Sequence, residues 1–274
     1  MRVRATGRKR TLRDPELPEA ARPEWPAWYA PAALFASFAA IAVAGSPLLP
    51  VILTFGISDA VAAIALLALL LVQDGLLVLA AVLFASIKRT PRPWHFGIRA
   101  TRLWPTVGWV LLAFALMMGF EFGYLELLQV DETNMEDFGE DSIVAGIAVS
   151  LAVIVVAPVA EELFFRAFFY RALRTRLPVW SAALIDGLVF GALHFQGVDT
   201  AIILPVIAVF GVSQCLVYER TGSVFAVIAI HAGFNTVAML SIVPLPAILI
   251  GMLVILGCLL APSTTGRWPS PVAA

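Results

Sequence analysis

Charge is what this chain has least of. Only 14% of its 274 residues are Asp, Glu, Lys or Arg, against 61% hydrophobic, and the mean hydropathy is +0.92. Soluble domains are about a quarter charged and about half apolar, so this composition excludes one. Cysteine is nearly absent too. Cys215 and Cys258 both lie in apolar runs, with no metal-ligand spacing and no partner set for a disulfide framework, and read as small core residues. The zinc-protease signature HExxH is missing, and there is no internal repeat of the kind inverted-repeat transporters carry. Of 18 basic residues only Lys9 and Lys88 are lysines, an arginine bias that fits a GC-rich bacterial genome.

What the chain does have is long apolar runs. Eight segments of about the ~20 residues a bilayer requires lie near 28–55, 59–87, 104–128, 142–172, 179–197, 200–219, 223–242 and 245–262. The expected fold is all-α: a polytopic transmembrane helical bundle of about eight helices. Residues 1–26 read as a disordered basic cytoplasmic tail, 27–263 as a single transmembrane domain with its catalytic core at about 142–240, and 264–274 as a short cytoplasmic tail. Pro47 and Pro50 interrupt the first span, and Pro158 predicts a kink in the fourth. Ala42-Val43-Ala44 resembles a signal-peptidase site, but the apolar run continues past it and the tail before it is long.

The loop charges sort by side. Seven Lys/Arg fall in the tail, five in the 88–103 loop and three in the 171–178 loop, and Arg220 and Arg267 fall in loops of the same parity. The opposite loops contain none, and the segment from Asp131 to Asp141 carries six acidic residues. The positive-inside rule then places both termini in the cytoplasm of a multi-pass plasma-membrane protein. The arginine clusters face lipid headgroups, and no nucleic-acid partner is expected.

Against this background three charges within six residues stand out in the fourth span: Glu161, Glu162 and Arg166. Each costs at least ~2.5–3.5 kcal/mol near the bilayer centre, so they call for a function or a partner. Glu162 and Arg166 are four apart, carboxylate first, the favourable order for an ion pair on one helix face. Glu161 projects about 100° away and is left free to hold a proton. Phe190 and His194 share a face of the fifth span, as do His231 and Asn235 of the seventh. Asp186 lies on the His194 stripe two turns away, too far to touch it, and is expected to hold water or a neighbouring helix. Peptide hydrolysis needs an activated water and a donor for the oxyanion. Glu161 with His194 could supply the first, and His231 with Asn235 the second. Helical rise puts Glu161 and His194 each ~20 Å from the basic loop joining their helices, at matching depth.

In order and spacing, Glu161-Glu162-x-x-x-Arg166, Phe190-x-x-x-His194 and His231-x-x-x-Asn235 resemble the motif set of the CPBP family. That family comprises the type II CAAX prenyl endopeptidases and the bacteriocin-processing or immunity (Abi) proteins. The resemblance covers about residues 142–240, and nothing in the first 140 residues is diagnostic. It implies a glutamate-dependent intramembrane endopeptidase acting on a membrane-associated protein or peptide. Carried over residue by residue, Glu161 activates water, His194 positions it, and His231 and Asn235 stabilise the oxyanion. Glu162, Arg166 and Phe190 support the site. The family has been described both as metalloprotease and as metal-free glutamate protease. Zinc held by Glu161, His194 and His231 is the alternative to the expected absence of a cofactor, because those ligands would come from three separate spans.

Blander readings exist for each element. A single intramembrane histidine is more often a helix–helix hydrogen-bond partner than a catalyst. A non-proteolytic scaffold or immunity protein of the same fold would keep the helices without the chemistry, and a proton-coupled transporter would use buried Glu, Asp and His as relays. Glu121 and Glu126 lie near the outer acidic loop, Asp74 with Gln73 is deep and has no partner readable from sequence, and His95 is expected at the interface.

Overall fold

The computed structural model describes residues 24–45, 60–99, 103–129 and 143–261. Among these there is no strand, and eight helices carry the chain: α1 (Tyr29–Gly45), α2 (Ala60–Ser86), α3 (Leu103–Leu128), α4 (from Ile143 to Arg174), α5 (Val179–Leu193), α6 (Leu204–Thr221), α7 (Val224–Ala238) and α8 (Pro244–Leu260). Each falls on one of the eight apolar segments. Helix α5 ends earlier than expected, at Leu193, one residue before His194. Pro47, Pro50 and both tails lie outside the described residues.

Three helical stretches, Leu67–Ser86, Leu103–Leu128 and Val144–Arg174, are long and apolar enough to cross a membrane unaided, and four more helices are apolar but shorter. The outward faces carry large apolar side chains, among them Trp104, Phe122, Leu127 and Leu253, all more than 70% exposed. Helices hydrophobic all round belong in lipid, where every backbone N–H and C=O is satisfied within the helix. The chain is a multi-pass membrane protein.

Inside the bundle, helices meet through small residues. Ala30 and Ala33 of α1 face Ala81 and Ala85 of α2, all essentially fully buried. Helices in lipid associate through such close packing, having little hydrophobic force between them. The approach is tightest between α5 and α6: a Cβ on Gly187 would lie 2.6 Å from the Ala208 carbonyl oxygen, and one on Gly211 2.8 Å from Gly187 Cα.

Helix α4 is continuous but unevenly wound. Two wide π segments, Ala152–Val156 and Phe165–Tyr170, bracket the short α-helical stretch Ala157–Phe164 that carries both glutamates. Pro158 explains the first. The Ala157 N–H bonds back to the Ala152 carbonyl, and Pro158 has no N–H to give. The Val153 carbonyl is therefore left for another donor. The expected distortion at Pro158 is real, and it takes the form of a widened turn one step before the glutamates.

The loop between α2 and α3 is pinned to the α6–α7 turn. Arg99 donates to the carbonyls of Thr221 (2.8 Å) and Gly222 (3.0 Å), Ser223 Oγ donates to the Arg99 carbonyl (2.8 Å), and the Val224 N–H bonds the Gly97 carbonyl. These satisfy orphan carbonyls at the α6 C-terminus, where Gly222 takes φ +60°. His95, expected at the interface, is instead buried against Trp25 and accepts the Arg92 N–H on Nδ1. Arg171 and Arg174, expected in a loop, form the last turn of α4. There Arg171 reaches the Tyr218 hydroxyl, and Arg174 bridges Glu219 at 2.7 Å.

Candidate active site

The site is a chain of buried polar groups linking α4, α5, α6 and α7. Glu162 and Arg166, one helical turn apart, are both fully buried and paired at 2.9 Å. Their side chains point into the bundle because α7 supplies a second donor to the same carboxylate: His231 Nδ1 lies 2.8 Å from Glu162 Oε1. Arg166 Nε lies 3.6 Å from Asp186 Oδ1 on α5, and that oxygen also accepts the Cys215 thiol of α6 at 3.2 Å. The guanidinium is flanked by aromatic rings, 4.3 Å from the Phe190 centroid and 5.8 Å from that of Phe165. Such paired and stacked burial is what makes an arginine tolerable in a low-dielectric interior.

Glu161 is placed differently. It is only partly buried, its side chain 19% exposed, and its Oε2 has no hydrogen-bond partner. His231 Nε2 is 3.9 Å from that oxygen. Glu162 is thus tied down through Oε1, while Glu161 keeps a buried Oε2 that makes no hydrogen bond among the described residues.

The histidines are oriented by their other nitrogens. His194, at the C-terminal end of α5, sets Nδ1 2.8 Å from the Phe190 carbonyl. A carbonyl only accepts, so Nδ1 carries the proton and Nε2 presents a lone pair in the neutral ring. His231 Nδ1 likewise donates to Glu162, which turns its Nε2 toward Glu161. Phe190 stands between the two imidazoles, its centroid 4.7 Å from His194 and 6.0 Å from His231. Among the described residues no hydrogen bond or ion pair joins His194 to Glu161.

Asn235 sits one turn beyond His231, and its Nδ2 donates to the Val153 carbonyl at 2.7 Å, the group Pro158 leaves open. One amide hydrogen is thus committed to the backbone and one remains. Asp186, expected to hold water or a neighbouring helix, meets Arg166 of α4. Cys215, read as a small core residue, is the member that sequence reasoning missed. Cys215 follows Gln214 on α6, and only the tertiary fold brings its thiol to a carboxylate.

Glu161, His194 and His231 do not assemble as a zinc set. The described residues contain no group of three or more His, Cys, Asp or Glu that could hold a metal ion.

Fold and site together define a polytopic helical membrane protein built around a buried carboxylate–arginine–histidine cluster. Residues 143–237 match the family model described as type II CAAX prenyl endopeptidase Rce1-like. The family resemblance is thereby shown over the segment that holds every residue of the three motifs. No curated protein and no solved structure matches the chain.

Proposed function

We propose that this chain is a glutamate-dependent intramembrane endopeptidase that hydrolyses a peptide bond of a membrane-associated protein or peptide. The observation that supports it most is the unequal treatment of two adjacent glutamates: Glu162 is fully buried and holds both Arg166 and His231 on Oε1, whereas Glu161 is partly exposed and its Oε2 makes no hydrogen bond, with His231 3.9 Å away.

In this reading Glu161 takes a proton from water, and His194 Nε2 accepts the water's second hydrogen and fixes its direction. The hydroxide oxygen bonds to the scissile carbonyl carbon, whose oxygen becomes the oxyanion. His231, held against Glu162 through Nδ1, and the second Nδ2 hydrogen of Asn235 stabilise it. Glu161 then passes its proton to the amide nitrogen as the C–N bond breaks. Glu162, Arg166, Asp186 and Phe190 hold this geometry. The family's name makes a prenylated C-terminal CaaX tail the first substrate class to try, and the loop charges set both termini in the cytoplasm of a plasma membrane.

The test is a termini-resolved comparison of membrane and secreted proteomes from deletion cells carrying wild type or Glu161→Ala at matched expression. Longer, uncut forms restricted to the variant establish the protease and reveal its cleavage rule. Identical termini, with a deletion phenotype that Glu161→Ala still rescues, assign the chain to the non-proteolytic scaffold or immunity role instead.

A further inference from the structure

One buried acid remains outside the mechanism. Asp74 of α2 is 4% exposed and twelve residues before the helix end at Ser86. Helix α2 packs against α4 over Ile143–Leu151, Ala152–Val156 and Ala157–Phe164, the last of which carries Glu161. The Gln73 side chain hydrogen-bonds one side of the Asp74 carboxyl. Asp74 Oδ2 has no partner among the described residues, as Glu161 Oε2 has none. Asp74 lies near enough for its charge to act on Glu161.

A carboxyl in lipid with half its hydrogen-bonding capacity unused has a cost and no packing gain. Leucine would fill an α2–α4 contact better. The geometry points to Asp74 as a positioning residue of the site: from α2 it faces Glu161 and fixes the orientation in which Glu161 meets its water. The groups around Glu161 are then Asp74 from α2, Glu162 and Arg166 from α4, and His231 from α7. Asp74 acts only through Glu161, and this inference rests on Glu161 being the base proposed above.

Two measurements on the full chain in detergent or nanodiscs separate the inference from that reading. The first needs no substrate: thermal unfolding of Asp74→Asn, Glu161→Gln and the double variant. Facing residues give Tm shifts that fail to add by about 2 °C or more. Shifts that add to within about 1 °C overturn the pairing. Should Asp74→Asn not fold, Asp74→Glu completes the same cycle with Glu161→Gln. The second uses a fluorescence-quenched farnesylated CaaX peptide in vesicles. Asp74→Asn lowers kcat about 10- to 100-fold with KM little changed, and Asp74→Glu recovers part of it. A change confined to KM overturns the positioning role. If wild type and Glu161→Ala are equally inactive on this peptide and in the proteome comparison, the protease reading fails, and the thermal cycle still decides whether Asp74 faces Glu161.

Discussion

His231 gives its Nδ1 to Glu162 at 2.8 Å and keeps Nε2 3.9 Å from Glu161. One ring therefore reads both members of an adjacent acidic pair, one nitrogen for each. The nitrogen held by Glu162 fixes the tautomer, and the other is available for chemistry.

Replacing the two glutamates separately is expected to split stability from activity. Glu162→Gln removes the charge partner of a fully buried Arg166, which should cost about 3–5 kcal/mol and lower Tm and yield in membranes. Glu161→Gln should leave the fold intact and reduce cleavage by a factor of at least about 100. Matching losses of Tm for both variants would contradict the assignment.

Asn235 is expected to carry a structural share that its place in the motif hides. Asn235→Ala leaves the Val153 carbonyl without a donor, at about 1–3 kcal/mol for a buried unpaired group. Adding Pro158→Ala returns a backbone N–H near that carbonyl and should recover part of the loss. Unfolding temperatures of the single and double variants check this, and cleavage should stay impaired in both.

Gly187→Ala should be among the most damaging conservative changes in the chain. Its Cβ would meet the Ala208 carbonyl oxygen at 2.6 Å and the Val212 backbone nitrogen at 2.7 Å, and backbone cannot swing aside as a side chain can. Separation of α5 from α6 would also draw Asp186 from Arg166. Loss of folded protein on detergent size exclusion is the expected result, whereas Gly75→Ala, with open space around it, should behave as wild type.

The loop that carries His95 should weaken in acid. Burial, together with the positive charges of Arg89, Arg171 and Arg92, pushes His95 from its usual 6.5 down to about 4. Between those values the unfolded chain binds a proton that the folded one refuses, so stability falls as pH drops from about 6.5 toward 4. His95→Gln should flatten that part of a Tm-versus-pH curve.

Much of this architecture was legible in the letters. Bilayer-length apolar runs fix where helices lie, and a four-residue spacing is enough to pair Glu162 with Arg166, because local helical geometry dictates both. What escaped was everything that depends on which helix neighbours which. Asp186 looked remote from His194 along its own stripe, yet α5 turns it toward Arg166 on α4. Asn235 read as an oxyanion donor, and its tie to Val153 could be seen only after Pro158 had opened a turn on another helix. His95 carried no sign of burial, since that is imposed by Trp25 from far away in the chain.

The two π segments of α4 finally bear on how this helix should be compared with others. Each squeezes an extra residue into a turn, and every side chain beyond it is turned by roughly 100° relative to an unbroken α-helix. Position along α4 is therefore counted in turns, and counting letters misleads. Deleting a single residue within Phe165–Tyr170 would let that turn close to ordinary α winding and keep Arg174 facing Glu219, whereas the same deletion in a regular turn would swing it away. Grafting the Glu161–Arg166 stretch onto a regular helix would copy the spelling and scramble the neighbours.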